Sequence, residues 1–132
     1  MNTDELFEAA LVVRKNSYSP YSGFPVGAAI RGASGAIYVG TNVECSSLGL
    51  TLCAERVAIG AMVAHGETQF SAVAVVADTQ RPVPPCGACR QLLHEFGPDA
   101  RVLLGNLTGA RAEFLSRDLL PEAFTAADLK KS

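Results

Sequence analysis

The chain has 132 residues, a length at which one domain buries roughly two-thirds of its unfolded surface. Its net charge is −2 and no Lys/Arg stripe stands out, which argues against a nucleic-acid partner; no apolar run suits a membrane helix. Hydrophobic residues make up 48% of the chain, a high share for a small monomer, so we expect a homo-oligomer.

The first predicted element is an amphipathic helix over residues 3–16, with apolar positions at helical spacing and a cap at Thr3 or Asp4. Acidic residues stand here in the place of the basic region of a signal peptide. We therefore expect a cytoplasmic protein whose cysteines are reduced. Two strands follow, over 26–31 and 36–43, and a glycine-containing hairpin turn joins them.

The second half of the sequence alternates helical and strand patterns. The predicted elements are a helix over 53–65, a buried strand over 70–77, a helix over 86–96, and short strands over 102–104 and 112–115. The order predicts a single domain over the whole chain, a three-layer α/β/α domain with a mixed, mostly five-stranded sheet. One antiparallel hairpin forms an edge of this sheet, and βαβ crossovers follow it.

Three cysteines in two segments have the spacing of a catalytic metal site. Cys53 begins one predicted helix, and Cys86 and Cys89 lie one helical turn apart at the start of the next. Helix N-termini lower thiol pKa values and so favour the thiolate form that binds metal. Three protein ligands leave one position of a zinc ion open for water, whereas four make a closed structural site. We predict one Zn²⁺ per subunit.

Glu55, two residues after Cys53, is the predicted catalytic residue. Because thiolates supply the ligands, this carboxylate is free to take a proton from water and deliver it elsewhere. Arg56 could offset the negative charge of three thiolates by hydrogen bonding to a sulfur; an ordinary solvated arginine is the alternative. A closed site with Cys45 as fourth ligand, in a non-catalytic zinc-stabilised scaffold, also remains open.

Seven short segments spread over nearly the whole chain form a specific pattern. They are Tyr-Ser-Pro-Tyr-Ser at 18–22, Phe-Pro-Val-Gly-Ala-Ala at 24–29, Thr-Asn-Val-Glu at 41–44, Cys-Ala-Glu-Arg at 53–56, Val-Val-Ala-Asp-Thr at 75–79, Pro-Cys-Gly-Ala-Cys-Arg-Gln at 85–91 and Leu-Leu-Pro-Glu-Ala-Phe at 119–124. In this order they resemble the small, homo-oligomeric cytidine deaminases. The glutamate followed by Pro-Cys-x-x-Cys is a known signature of zinc nucleobase deaminases, here in a three-cysteine form.

The resemblance implies a reaction and a set of catalytic roles. The reaction is zinc-dependent hydrolytic deamination of cytidine and 2′-deoxycytidine to uridine and 2′-deoxyuridine, with release of ammonia, as in pyrimidine salvage. Zinc would be bound by Cys53, Cys86 and Cys89, and Glu55 would move protons between water, the ring and the leaving amine. Each subunit would belong to a homotetramer whose sites are completed by neighbouring subunits.

The resemblance also assigns substrate contacts. Asn42 and Glu44 would hydrogen-bond to the ribose 3′-hydroxyl, or else serve as turn residues. Phe24 would line the nucleoside pocket, with a core position as the alternative. The backbone of Ala54 would contact the base edge. Phe124, from a neighbouring subunit, would pack against the base, unless it only packs the tail.

Two positions depart from the pattern of the family. Cys45 stands where relatives have an amide, and Leu48 stands where they have a tyrosine whose hydroxyl lies near the ribose across a subunit boundary. These changes predict a looser or more apolar 5′ side of the pocket and tolerance of modified nucleosides. The alternative enzyme is therefore a deaminase of nucleoside-like compounds of the blasticidin S type. A polynucleotide deaminase is disfavoured because the chain is poor in basic residues and has no tryptophan.

Overall fold

The computed structural model describes residues 3–129 and contains a five-stranded mixed sheet with helices on both faces. The helices are α1 (Thr3–Arg14), α2 (Ala54–Ala64), α3 (Gly87–Phe96) and the short α4 (Ala126–Leu129). The strands are β1 (Val26–Gly32), β2 (Ile37–Thr41), β3 (Phe70–Ala77), β4 (Arg101–Gly105) and β5 (Arg111–Leu115). None of the helices in this part of the chain is long and apolar enough to cross a membrane.

The strand order in the sheet is β2-β1-β3-β4-β5. The β1 strand is antiparallel to both of its neighbours, β2 and β3, so these two run in the same direction and α2 forms the crossover between them. The second crossover passes through α3, which connects β3 to the parallel strand β4. The hairpin edge and the βαβ crossovers are confirmed, and β5 closes the other edge as an antiparallel strand.

Two hydrophobic cores lie on opposite faces of the sheet. On one face α1 contributes Leu6 and Ala10, which pack against small side chains such as Ala74. On the other face α2 and α3 contribute Met62 and Leu93 to a core with larger side chains. Successive residues of a strand point to opposite faces, so the apolar run of β3 supplies both cores. The three-layer α/β/α fold is therefore confirmed.

The largest differences from the sequence prediction lie at the ends of α1 and β2. Thr3 and Asp4 lie inside α1, so neither caps it, and α1 ends at Arg14 rather than at residue 16. The β2 strand ends at Thr41, two residues early, because Val43 leaves the sheet and exchanges backbone hydrogen bonds with Leu52 instead. This departure brings the segment after β2 towards the start of α2.

Candidate active site

The three predicted ligands meet where α2 and α3 begin. Cys53 and Cys86 are the residues that precede the first turns of α2 and α3, and Cys89 lies within the first turn of α3. Their sulfur atoms all lie within 4.8 Å of one another, and Cys53 Sγ is 4.0 Å from Cys86 Sγ. Neither helix-capping cysteine bonds to its own helix, so both thiols are available to the cluster.

This donor set fits zinc. Thiolates around a tetrahedral zinc ion lie about 3.8 Å apart, given a Zn–S bond of about 2.3 Å, which is close to the spacing found here. Among residues 3–129 the cluster of possible metal ligands comprises Cys53, Cys86 and Cys89, and Cys45 is not part of it. The structure therefore contradicts the closed four-cysteine site and leaves one coordination position for a non-protein ligand.

The thiols of the cluster differ in how readily they ionise. The pKa of Cys53 is lowered to about 6, first by a hydrogen bond from Cys89 and further by the positive charge of Arg56, although burial opposes the shift. The same hydrogen bond and burial raise the pKa of Cys89. Arg56 donates from Nη2 to the Thr51 carbonyl at 2.7 Å, while its buried Nε has no partner. The positive charge of Arg56 thus acts on Cys53, and its predicted compensation of the charge of three thiolates stays a prediction.

Glu55 is a buried carboxyl group in the first turn of α2, with 5% of its surface exposed. Burial raises its pKa to about 7, because removal from water disfavours the charged form, and the charge of Cys53 acts in the same direction. A carboxyl group with such a pKa can hold or release a proton near neutral pH, as a general acid and base must. The environment of Glu55 thus matches the predicted catalytic role.

A cavity of about 280 Å³ opens beside the cysteine cluster and Glu55. Its floor includes Val75 and Ala77 of the central strand β3. The residues that line it are Ser22, Phe24, Val26, Asn42, Glu44, Thr51, Leu52, Cys53, Ala54, Glu55, Val75, Ala77, Val83, Pro84, Pro85 and Cys86. Two of these lining residues carry carboxyl groups, Glu44 and Glu55, and none of them is Lys or Arg. The cavity therefore suits an uncharged ligand better than a phosphorylated one.

The side chain of Asn42 is already used inside the protein. Its Oδ1 accepts hydrogen bonds from the Ser17 hydroxyl and, at 2.9 Å, from the Val26 amide. Its Nδ2 donates to the Phe24 carbonyl at 2.9 Å. An amide NH₂ group has two donors, so one donor of Asn42 remains for a ligand.

Glu44 is held in a similar way by the loop that precedes β1. Its Oε1 accepts from the backbone amides of Tyr21 at 2.9 Å and Ser22 at 3.0 Å, and its Oε2 accepts from the Ser22 hydroxyl. The Ser22 hydrogen bonds keep the pKa of Glu44 below its usual range. Sequence reasoning missed this anchoring by the 17–24 loop; the only signal for it was the polar composition of that loop.

The other predicted contacts divide into two groups. Phe24 and Ala54 line the cavity. Phe124 is 56% exposed and does not line the cavity of its own chain, so its predicted role in a neighbouring subunit stays a prediction. Leu48 also lies outside the cavity lining, at 69% exposure, and the expected effect of this residue on the 5′ side of the pocket stays untested.

Comparison with known proteins places this site in a family. Residues 1–105 match the model for the cytidine and deoxycytidylate deaminase zinc-binding region. The chain is 48% identical over 130 residues to the cytidine deaminase of Halalkalibacterium halodurans, covering 98% of each. It is 33% identical over 108 residues to the blasticidin-S deaminase of Bacillus cereus, covering 76% of each.

The fold agrees with solved structures. The crystal structure of cytidine deaminase from Burkholderia pseudomallei superposes with a TM-score of 0.91 at 45% identity, covering 94% of this chain and all of that one. The family match spans most of the chain and includes the three cysteines and Glu55. The chain therefore belongs to the cytidine and deoxycytidylate deaminase family of zinc-binding enzymes.

Proposed function

We propose that the protein is a cytidine deaminase, which hydrolyses cytidine and 2′-deoxycytidine to uridine and 2′-deoxyuridine with release of ammonia. The observation that carries this proposal is the juxtaposition of a buried Glu55 carboxyl with three clustered thiols at one cavity. A proton-transferring carboxyl beside an open metal site is what hydrolytic replacement of an amine by oxygen requires.

The chain supplies both the metal ligands and the proton carrier. Cys53, Cys86 and Cys89 would hold zinc, which when bound lowers the pKa of water so that it attacks as a nucleophile near neutral pH. Glu55 takes a proton from the attacking water and delivers it to the ring nitrogen beside the reacting carbon. As the carbon–nitrogen bond to the amine breaks, Glu55 transfers the second water proton to that amine, which leaves as ammonia.

The polar groups of the cavity wall fit a sugar. Glu44 accepts three hydrogen bonds within the protein, and because a carboxylate has about four acceptor sites, one remains for a ribose hydroxyl. The remaining donor of Asn42 can bind the oxygen of the same hydroxyl. Phe24 would pack against the nucleoside, and the backbone of Ala54 would contact the base edge. Arg56 would stabilise the cysteine cluster by its positive charge.

The proposal is tested by mixing purified, zinc-loaded protein with cytidine and following uridine and ammonia. Glu55→Gln keeps the shape of the side chain but cannot carry the proton, so turnover should fall by about 10²–10⁴-fold while zinc content stays at one per subunit. Glu95→Gln, on the exposed side of α3, is the matched control and should keep full activity. Undiminished turnover in Glu55→Gln would reject the assignment of Glu55.

The same experiment separates this function from a blasticidin S type activity. The free capacity of Asn42 and Glu44 for a hydroxyl group favours an ordinary ribose. Turnover of blasticidin S with none of cytidine would move the assignment to that related reaction. Bound zinc without turnover of either compound would instead favour a non-catalytic, zinc-stabilised scaffold.

The wider assignments belong to the same proposal. The chain would act as one catalytic domain, since both hydrophobic cores share the same sheet. A homotetramer is supported by exposed leucines next to the cavity wall, Leu48 at 69% and Leu50 at 68% exposure. Four free cysteines suit the reducing cytoplasm, where the reaction would serve pyrimidine salvage. Light scattering of the purified protein tests the tetramer.

A further inference from the structure

Two parts of the chain that are far apart in sequence converge on α3. The first, residues 78–86, is termed here the cavity loop; it carries Val83, Pro84 and Pro85 of the cavity wall and ends at the ligand Cys86. The second, residues 119–124, is termed the C-terminal segment, and it includes the exposed Phe124. Neither is a helix or a strand over most of its length, so hydrogen bonds of regular secondary structure hold little of either segment.

One half-buried side chain contacts both parts. Arg90 donates from Nε to the Pro85 carbonyl of the cavity loop at 2.7 Å and from Nη1 to the Leu119 carbonyl at 3.1 Å. Its backbone amide donates to the Cys86 carbonyl at 2.9 Å. The next residue, Gln91, donates from Nε2 to the Phe124 carbonyl at 2.8 Å.

The geometry points to a positioning function for Arg90. Pro85 is buried, and a buried carbonyl without a donor costs free energy comparable to a lost hydrogen bond. A guanidinium group presents its donors in a rigid plane, so it can fix two acceptors relative to each other, which a flexible ammonium group does less well. We propose that Arg90 is a positioning residue that fixes Cys86 and the C-terminal segment relative to each other.

This inference deepens the proposed function and rests on it for the part that concerns substrate turnover. Cys86 is the most exposed of the three thiols and the one attached directly to the loop that Arg90 holds. Without the Arg90 bonds, Pro85 and Cys86 would move more freely, and the hold on the metal would weaken. Groups that orient metal ligands typically contribute about 10–100-fold to metal affinity or activity when removed.

The test uses the zinc-loaded, full-length protein and the variant Arg90→Met, which keeps an apolar stem but has no donors. The variant should lose zinc to an excess of a colour-forming chelator about 10-fold faster, or more, than the unmutated protein does. Amide hydrogen exchange in the C-terminal segment should also rise. With cytidine as substrate, kcat should fall. The measurements are made well below the melting temperature, so that the population of globally unfolded protein stays small in every variant.

Arg117→Met is the matched control, because Arg117 precedes the C-terminal segment but donates to Asp99 at 2.6 Å on the surface. If Arg90→Met fails to fold, Arg90→Lys replaces it, and its zinc loss should still exceed that of the control. Zinc loss or amide exchange equal to that of Arg117→Met would overturn the inference. The measurement of zinc release needs no substrate. An absence of cytidine turnover in the unmutated protein would therefore reject the proposed function and leave the inference about Arg90 in place.

Discussion

The two carboxyl groups of the cavity, Glu44 and Glu55, have pKa values displaced in opposite directions. Hydrogen bonds from Ser22 lower the pKa of Glu44, and burial raises that of Glu55 to about 7. One residue type therefore provides a permanent acceptor and a group that exchanges protons, because the surroundings of the two side chains differ. This division matches the sugar-binding and proton-transfer roles proposed for them.

Arg56 gives a prediction at the same scale. Its charge contributes, after the hydrogen bond from Cys89, to the low pKa of Cys53. In metal-free Arg56→Gln the pKa of Cys53 should rise, so that less thiolate is present near pH 7. Alkylation of Cys53 by iodoacetamide, measured across pH by peptide mass mapping, should then be slower near pH 7 than in the unmutated protein. An unchanged pH profile would show that Arg56 does not act on this sulfur.

At the scale of elements, the contact between α2 and β2 leaves no room for a side chain at Gly40. A Cβ atom there would lie 2.4 Å from the Ala58 amide nitrogen and 2.5 Å from the Ala54 carbonyl oxygen. Backbone atoms cannot move aside without displacing α2. Gly40→Ala should therefore lower the free energy of unfolding by about 1–3 kcal/mol, as measured by urea denaturation.

Gly60 on the exposed side of α2 is the matched control for this substitution. A Cβ atom there meets nothing within 4 Å. Because glycine weakens a helix interior, Gly60→Ala should raise the free energy of unfolding by about 0.5–1 kcal/mol. Equal effects of the two substitutions would contradict the close approach of α2 to β2.

A polar contact joins the β1–β2 hairpin to the segment after α2. Glu67 accepts hydrogen bonds from Tyr38 and from both the amide and hydroxyl of Ser34, and these lower its pKa from 4.5. Between the folded-state pKa and the unfolded-state pKa of Glu67, the folded state thus binds fewer protons than the unfolded state. The contact stabilises the fold above pH 4.5, and this stabilisation is lost as pH falls through the lower folded-state pKa.

The variant Glu67→Gln should accordingly show a shallower loss of stability on acidification. Urea midpoints between about pH 6 and pH 3 would measure this slope, since the unfolded-state pKa of a glutamate lies near the middle of that range. Glu95→Gln, at an exposed position of α3, should keep the slope of the unmutated protein. A Glu67→Gln slope equal to that of the control would reject the contact.

The sequence predicts most of these elements because local pattern and tertiary environment agree. The apolar run of β3 is confirmed at residues 70–77, and α2 and α3 end at Ala64 and Phe96, within one residue of the predicted ends at 65 and 96. The predicted end of β2 was wrong because Val43 pairs with Leu52, and no local sequence pattern encodes such a pairing. For the same reason the anchoring of Glu44 by Ser22 and the two contacts of Arg90 were not foreseen.

At the scale of the whole molecule, subunit mixing tests the prediction that Phe124 completes the site of a neighbour. Glu55→Gln and Phe124→Ala should each be impaired alone. In a mixed oligomer, the Phe124→Ala subunit keeps Glu55 and can receive an intact Phe124 from its partner. Activity should therefore recover after the two variants are unfolded and refolded together. If Phe124 acted within its own chain, no site in the mixture would be complete and no recovery would occur.

The cavity floor belongs to β3, the strand at the centre of the sheet, whereas much of the wall comes from loops over 17–24, 48–53 and 78–86. The groups proposed for proton transfer and metal binding lie at helix starts packed on that floor. Substitutions at loop positions such as Phe24, Leu52 or Val83, away from the cysteines of the cluster, can thus alter which molecules enter and leave both the proposed chemistry and the cores in place. Such a separation allows substrate range to diverge during evolution while the reaction stays the same. The blasticidin-S deaminase of Bacillus cereus, which is 33% identical to this chain over 108 residues, is consistent with that course.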